Sequence, residues 1–162
     1  MYKGKMVKSI NKGGDIMYGI QVRIGSLRYN KPQNAGRKPQ GGIWTSSLLE
    51  DKLGSAWTVW CEREDYNLPK DGIWKAYLLQ PNEDARIYTI DSLEDLQYIL
   101  NKYKSRGNIN YKKARKDYDA IHLTWKGQGA TYWELYGWDI ESTIWLNEAY
   151  TVIEEVMWKV ET

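Results

Sequence analysis

The pattern that most restricts the fold of this chain is a series of short period-two stretches with few helices between them. Ile16, Tyr18, Ile20, Val22 and Ile24 alternate with Met17, Gly19, Gln21 and Arg23, and such alternation puts the two sets on opposite faces of a strand. Val22 and Ile24 therefore belong to a buried face, while Gln21 and Arg23 share the other. Further strands are predicted at 41–47, Ile73–Leu79, Arg86–Ile90, Ala120–Trp125, Ser142–Leu146 and Thr151–Val160. Helices are predicted at fewer places. Trp57, Trp60 and Cys61 repeat at helical spacing behind Ser55, and Leu93, Leu96, Ile99, Leu100 and Tyr103 form an apolar stripe behind Ser92. A weaker helix is predicted over Tyr111–Tyr118. Strands and helices do not alternate as βαβ units, so the expected class is α+β with largely antiparallel sheets and two to four helices.

A chain of 162 residues suits one domain. The expected organisation is a basic leader over residues 1–14, ending in Lys12-Gly13-Gly14, and a single domain over 15–162. No apolar run approaches the roughly 18 residues needed to cross a bilayer. The basic start is not followed by the apolar stretch of a secretory signal, so no membrane partner and a cytoplasmic location are expected. Cys61 is the only cysteine and His122 the only histidine. A disulfide within the chain is thereby excluded, and neither a metal nor redox chemistry is expected.

The net charge of +2 does not by itself mark a nucleic-acid binder. Basic residues do gather in the leader and in Lys102–Lys116, which reads as a solvated helical face. Nine Trp and thirteen Tyr stand beside no Phe. A core made from these rings needs hydrogen-bond partners at its margins. There is no G-x-G-x-x-G, Walker A or G-x-S-x-G motif. The long segment from Ser26 to Gly42, rich in Gly, Asn, Pro and basic residues, is an irregular loop of the kind that more often carries function.

Three segments put polar groups at strand ends: Val22-Arg23-Ile24-Gly25-Ser26, Gly41-Gly42-Ile43-Trp44-Thr45-Ser46-Ser47, and Trp138-Asp139-Ile140-Glu141-Ser142-Thr143-Ile144-Trp145-Leu146-Asn147. Together they resemble the ADP-ribosyltransferase superfamily, and the resemblance implies a split β-sheet core. GGIWTS and YGWDIES are also similar to segments of small phage or prophage proteins, which implies a setting of phage–host conflict.

The resemblance implies a site that uses NAD as substrate without a metal. Arg23 would correspond to the basic residue of the first strand, and Gly25 would offer backbone hydrogen bonds to the nicotinamide amide. Trp44, Thr45 and Ser46 would form the second element, with Glu141 as the catalytic residue. Trp44-Thr45-Ser46-Ser47 departs from the family's Ser-Thr-Ser, and Asp139 stands where some branches carry Glu or Gln to contact the acceptor. Asp139 is therefore the candidate substrate contact, and the acceptor is left open between a host protein and a nucleic acid. Arg28 and Arg37 remain alternatives to Arg23 for contacting the nucleotide, and His122 reads as a hydrogen-bonded structural histidine.

The implied chemistry has a physical basis. Breaking the nicotinamide–ribose bond builds positive charge on the ribose, which a nearby carboxylate stabilises. A guanidinium can neutralise phosphate. A different reading is a non-enzymatic inhibitor or binding protein that engages a host protein, nucleic acid or nucleotide through the basic and aromatic residues.

Overall fold

The structure, a computed structural model, describes residues 19–49 and 54–161. The leader and the beginning of the strand predicted from Asp15 lie outside the described residues. The elements run β1 (Gln21–Ile24), β2 (Ile43–Ser47), α1 (Ala56–Glu64), β3 (Ile73–Pro81), β4 (Ile87–Ile90), α2 (Leu93–Lys102), β5 (Lys104–Ser105), β6 (Asn108–Ile109), α3 (Tyr111–Ala114), β7 (Ala120–Leu123), α4 (Trp125–Ala130), β8 (Ser142–Trp145) and β9 (Tyr150–Lys159). The class is α+β, with mostly antiparallel pairing, as the alternation pattern predicts. The chain divides into two compact units, and the division falls within β2, after Trp44.

The first unit comprises the described parts of Met1–Leu27, Thr45–Glu83 and Tyr150–Thr162. Here β1 pairs antiparallel with β2 and β3, placing Val22 opposite Ser46 and Leu78, and β3 pairs antiparallel with β9. The core consists of Val22, Cys61, Trp74, Ala76, Leu78 and Trp158, with Ile24 packed against it. Val22 and Ile24 thus occupy the apolar face that the alternation assigns to them. Helix α1 starts at Ser55, whose hydroxyl accepts from the Thr58 amide at 3.2 Å while Thr58 Oγ1 accepts from the Ser55 amide at 2.9 Å. This reciprocal cap satisfies two amides that a helix start leaves without partners. Burial, followed by the neighbouring Glu62 charge, pushes the Cys61 thiol up to about 12. The thiolate is therefore suppressed, and Cys61 acts as core.

The second unit comprises Arg28–Trp44 and Asp84–Ala149. Strands β4 and β7 are parallel, with Ile87 opposite Ala120, whereas β7 and β8 are antiparallel, with His122 opposite Thr143. Ile121, Leu123, Ile144 and Leu146 pack with Leu96 and Ile99 of α2. Helix α2 is capped by Ser92, whose hydroxyl accepts from the Asp95 amide at 3.1 Å, and carries Glu94 and Asp95 in its first turn. Those carboxylates suit the positive end of the helix dipole.

Two elements depart from the sequence expectation. The basic stretch Lys102–Lys116 is not one helical face: it contains the end of α2, a β5–β6 hairpin turning at Arg106 and Gly107, and the single turn of α3 capped by Asn110. The strand predicted to reach Trp125 stops at Leu123, where Thr124 caps α4. Gly127 and Gly129 argue against a helix by propensity, yet Gly127 is required by packing. A Cβ there would come within 2.1 Å of the Ile90 carbonyl oxygen.

Aromatic polar atoms do find partners at the margins of the core. Tyr111 Oη and Trp138 Nε1 both donate to the Arg37 carbonyl, the latter at 3.0 Å, and Trp74 Nε1 donates to Glu62 at 2.9 Å. The first two bonds pin the Arg28–Trp44 segment within its unit. That segment also closes on itself through Gln33 and Gln40, whose amides and carbonyls exchange bonds of 2.7 and 3.0 Å. Asp119 receives bonds from the side chain and amide of Arg86 and from Asn147. Burial alone would raise its carboxyl, but those donors prevail and hold it below the ordinary value. Among the described residues, no helix is long and apolar enough to cross a membrane.

Two stability measurements follow from this packing. Gly127→Ala should lower unfolding free energy by about 2–3 kcal/mol because it overpacks a backbone contact, whereas Gly129→Ala, with open space at the Cβ position, should be neutral or stabilising by up to about 1 kcal/mol. Equal effects in urea denaturation would contradict the contact. The depressed Asp119 carboxyl should contribute stability above the unfolded aspartate value of about 3.9 and lose it as pH falls through the lower folded value. An Asp119→Asn variant should therefore show a shallower loss of stability in acid, read by thermal melts across that range.

Candidate functional site

The residues suggested by the sequence form two groups, one in each unit. In the first unit, the face of β1 opposite Val22 carries Gln21 and Arg23. Thr45 Oγ1 donates to Gln21 Oε1 at 2.8 Å, and Gln21 Nε2 donates to Ser47 Oγ at 3.2 Å. Gln21, Thr45 and Ser47 are each buried, so this is a fixed polar layer, with Arg23 continuing it by strand alternation. Ser46 lies on the other face of β2, and its hydroxyl accepts from the Trp57 amide at 3.1 Å, at the start of α1. Of the two hydroxyls considered, Thr45 therefore shares the face of Arg23, and Ser46 supports the helix.

Arg23 Nε donates to the Ser26 carbonyl at 2.9 Å, folding the guanidinium back over Gly25. Partial burial lowers the guanidinium from its ordinary value, and the nearby Tyr150 opposes that shift. Gly25 has φ +110°, a conformation that glycine adopts without the Cβ penalty. The reversal that brings Ser26 O to Arg23 depends on it.

In the second unit, Glu141 immediately precedes β8 and is fully buried. Its Oε2 lies 3.2 Å from His122 Nε2. Because His122 stands opposite Thr143 in the antiparallel register, Glu141 and His122 are diagonal neighbours on one face. The other face of these strands carries Ile121, Leu123 and Ile144 into the core. Alternation thus separates the acid–imidazole pair from the apolar layer. Asp139 is exposed, two residues earlier.

Trp44 joins the same unit. Its ring meets that of Trp138 edge-on, with centroids 4.8 Å apart and planes at 81°, and Lys38 Nζ lies 5.9 Å from its centroid. Gly42 makes the close approach possible: a Cβ there would fall 2.7 Å from the Trp145 carbonyl oxygen and 2.9 Å from Ile144 Cδ1. The lead into β2 is therefore laid against β8, the strand that Glu141 precedes. Of the alternative arginines, Arg28 and Arg37 are both exposed. Among the described residues, no group of three or more His, Cys, Asp and Glu side chains is placed to hold a metal ion.

Sequence reasoning did not single out Gln21 or Ser47 as members of the polar layer, although a Gln inside an apolar alternating strand was the available signal. The sequence marks His122 as structural but does not name its partner, because 18 residues that include helix α4 separate it from Glu141. Comparison of the chain with protein-family models, curated proteins and solved structures gives no match.

The buried pair has a measurable energetic signature. His122→Ala, which removes the imidazole that bonds the buried Glu141 side chain, should destabilise the fold by about 1–3 kcal/mol. The His122→Ala, Glu141→Ala double variant should lose less than the sum of the single losses, with a coupling of about 1–3 kcal/mol. Additive losses in chemical denaturation would mean that the two side chains do not interact.

Proposed function

We propose that this protein transfers ADP-ribose from NAD to an acceptor nucleophile. The observation that carries this reading is Glu141: a buried carboxylate at the leading edge of β8, oriented by an imidazole, beside the segment that leads through Trp44 into β2. In the other unit, taken by itself, Arg23 on β1 and Thr45 on β2 share one face of the sheet. These are the kinds of element on which the ADP-ribosyltransferase resemblance distributes its basic residue, hydroxyl segment and glutamate.

In the reaction, the bond between ribose C1′ and the nicotinamide nitrogen breaks, and its electron pair leaves with nicotinamide, which becomes neutral. Positive charge grows at C1′ until an acceptor nucleophile forms the new bond and loses its proton to solvent. The Glu141 carboxylate stabilises the developing cation, and it does so more strongly in a buried site than it would in water. His122 acts as a positioning residue, holding Oε2 so that the carboxylate does not have to reorganise as charge develops. By the resemblance, Arg23 would meet a phosphate and Gly25 would present backbone groups to the carboxamide, while Thr45 bonds Gln21 in the polar layer of its own unit. The Trp44 ring offers a flat apolar surface to the nicotinamide, and Ser46 contributes indirectly through α1. Asp139 is the proposed acceptor contact. The acceptor class under this reading is a protein or a nucleic acid, and the proposed setting is the cytoplasm of a phage-infected bacterium.

Incubation with NAD labelled in the adenylate moiety, in the presence of bacterial lysate, should release nicotinamide and label a macromolecule. Glu141→Gln should reduce the rate by about 100-fold or more, the scale of removing one preorganised electrostatic contact, while retaining a cooperative unfolding transition. No nicotinamide release from the folded wild-type protein, or equal release by Glu141→Gln, would overturn the assignment.

A further inference from the structure

We infer that the surface around Trp133 binds single-stranded nucleic acid. Tyr132, Trp133 and Tyr136 are 45%, 74% and 56% exposed, an unusual concentration of large rings facing solvent. They are ordered against one another. Trp133 and Tyr136 are near-parallel, at 9° with centroids 6.4 Å apart, and Tyr132 meets both edge-on at 4.9 and 5.9 Å. Leu135, between them in sequence, is buried in the core and anchors the segment. The rings therefore form a fixed platform of π-faces.

Cations flank the platform within the same unit. Lys38 lies against Gly137: its Cε is 3.6 Å from where a Cβ at that position would be. Arg37 and Arg106 line a cleft of about 510 Å³ together with Glu134 and Leu135, the residues between Trp133 and Tyr136. Arg37 belongs to a segment, Arg28–Trp44, that contains Arg28, Lys31, Arg37 and Lys38 and no acidic residue. Its backbone is fixed, because Tyr111 and Trp138 both donate to the Arg37 carbonyl. Arg106 is presented by the β5–β6 turn with φ +51°. Exposed Lys104, Lys112 and Lys113 extend the basic character along that hairpin and α3.

Exposed aromatic faces beside guanidinium and ammonium groups match the two features of single-stranded nucleic acid: unpaired bases that stack, and a phosphate every nucleotide. A duplex hides its base faces and offers nothing to the rings. Glu134 opposes binding electrostatically and gives the surface an internal control. This inference does not rest on the transferase reading, in which Arg23 rather than Arg37 takes the phosphate and none of the other residues of this surface is used.

Fluorescence anisotropy with a labelled 12-nucleotide DNA, and with an RNA of the same sequence, tests the inference directly. Saturable binding that weakens with salt is expected for one or both strands, and weaker binding is expected for the duplex. Trp133→Ala should lower affinity about tenfold, on the scale of one lost stacking contact. Arg37→Ala and Arg106→Ala should each flatten the logarithmic salt dependence by about 0.7, and Glu134→Gln should tighten binding. The Trp133, Arg37, Arg106 and Glu134 side chains are exposed, so these variants should keep the wild-type melting temperature. Absence of saturable binding to either single strand would overturn the inference, as would duplex binding as tight as single-strand binding or unchanged affinity in Trp133→Ala. Melting temperatures separate loss of binding from loss of fold.

Discussion

Removing a carboxylate from water costs several kcal/mol unless partners hold it, and in the second unit His122 is such a partner for Glu141. Glu141 and His122 are both buried and lie diagonally across β7 and β8. Their position depends on strand register: slipping either strand by one residue would turn them into the apolar layer and bring Ile121 or Ile144 out of it. Register in turn depends on the contacts that hold these strands. Gly127 lets α4 rest on the end of β4, and Gly42 lets the lead into β2 rest on β8. The acid–imidazole pair therefore depends on packing at two glycines that take no part in the proposed chemistry.

The aromatic composition serves the same end by a different route. A phenylalanine at position 111 or 138 could fill much of the space but could not donate to the Arg37 carbonyl. These bonds fix the irregular segment between Arg28 and Trp44, whose backbone would otherwise need solvent or its own secondary structure to satisfy its polar groups. Tyr88 and Tyr103 repeat the arrangement at the ends of α2, donating to the Asp95 carbonyl and to Asp117. Rings that end in a donor are thus used where a core meets a loop. Trp133 and Tyr136 lie beyond that boundary, with their faces in solvent.

Much of this was legible in the sequence. The alternation at Gln21–Ile24 assigned Val22 and Ile24 to the core and Gln21 and Arg23 to the opposite face, and Ser55 and Ser92 marked two helix starts. Glu141 could be placed at the edge of a late strand. What could not be read was long-range. Helix α4 carries Gly127 because its neighbour Ile90 is 37 residues earlier in the chain, and local propensity has no access to that contact. The β5–β6 hairpin is two residues per strand, too short for periodicity to register. The partner of Glu141 was hidden for a similar reason, because cross-strand neighbours are set by register rather than by sequence distance. Thr45 and Ser46 were indistinguishable as letters, and only strand alternation separates the hydroxyl on the face of Arg23 from the one that supports α1.

Because the chain has one histidine, its imidazole nitrogens can be observed without assignment ambiguity, and they report on the carboxylate at the centre of the proposed chemistry. The direct measurement is a titration of the ¹⁵N-labelled protein with NAD, followed through the His122 imidazole resonances. A saturable shift in the wild-type protein, altered or lost in folded Glu141→Gln, is the expected result. Imidazole resonances that stay fixed at NAD concentrations well above cellular levels would contradict the proposal that Glu141 and His122 serve an NAD site.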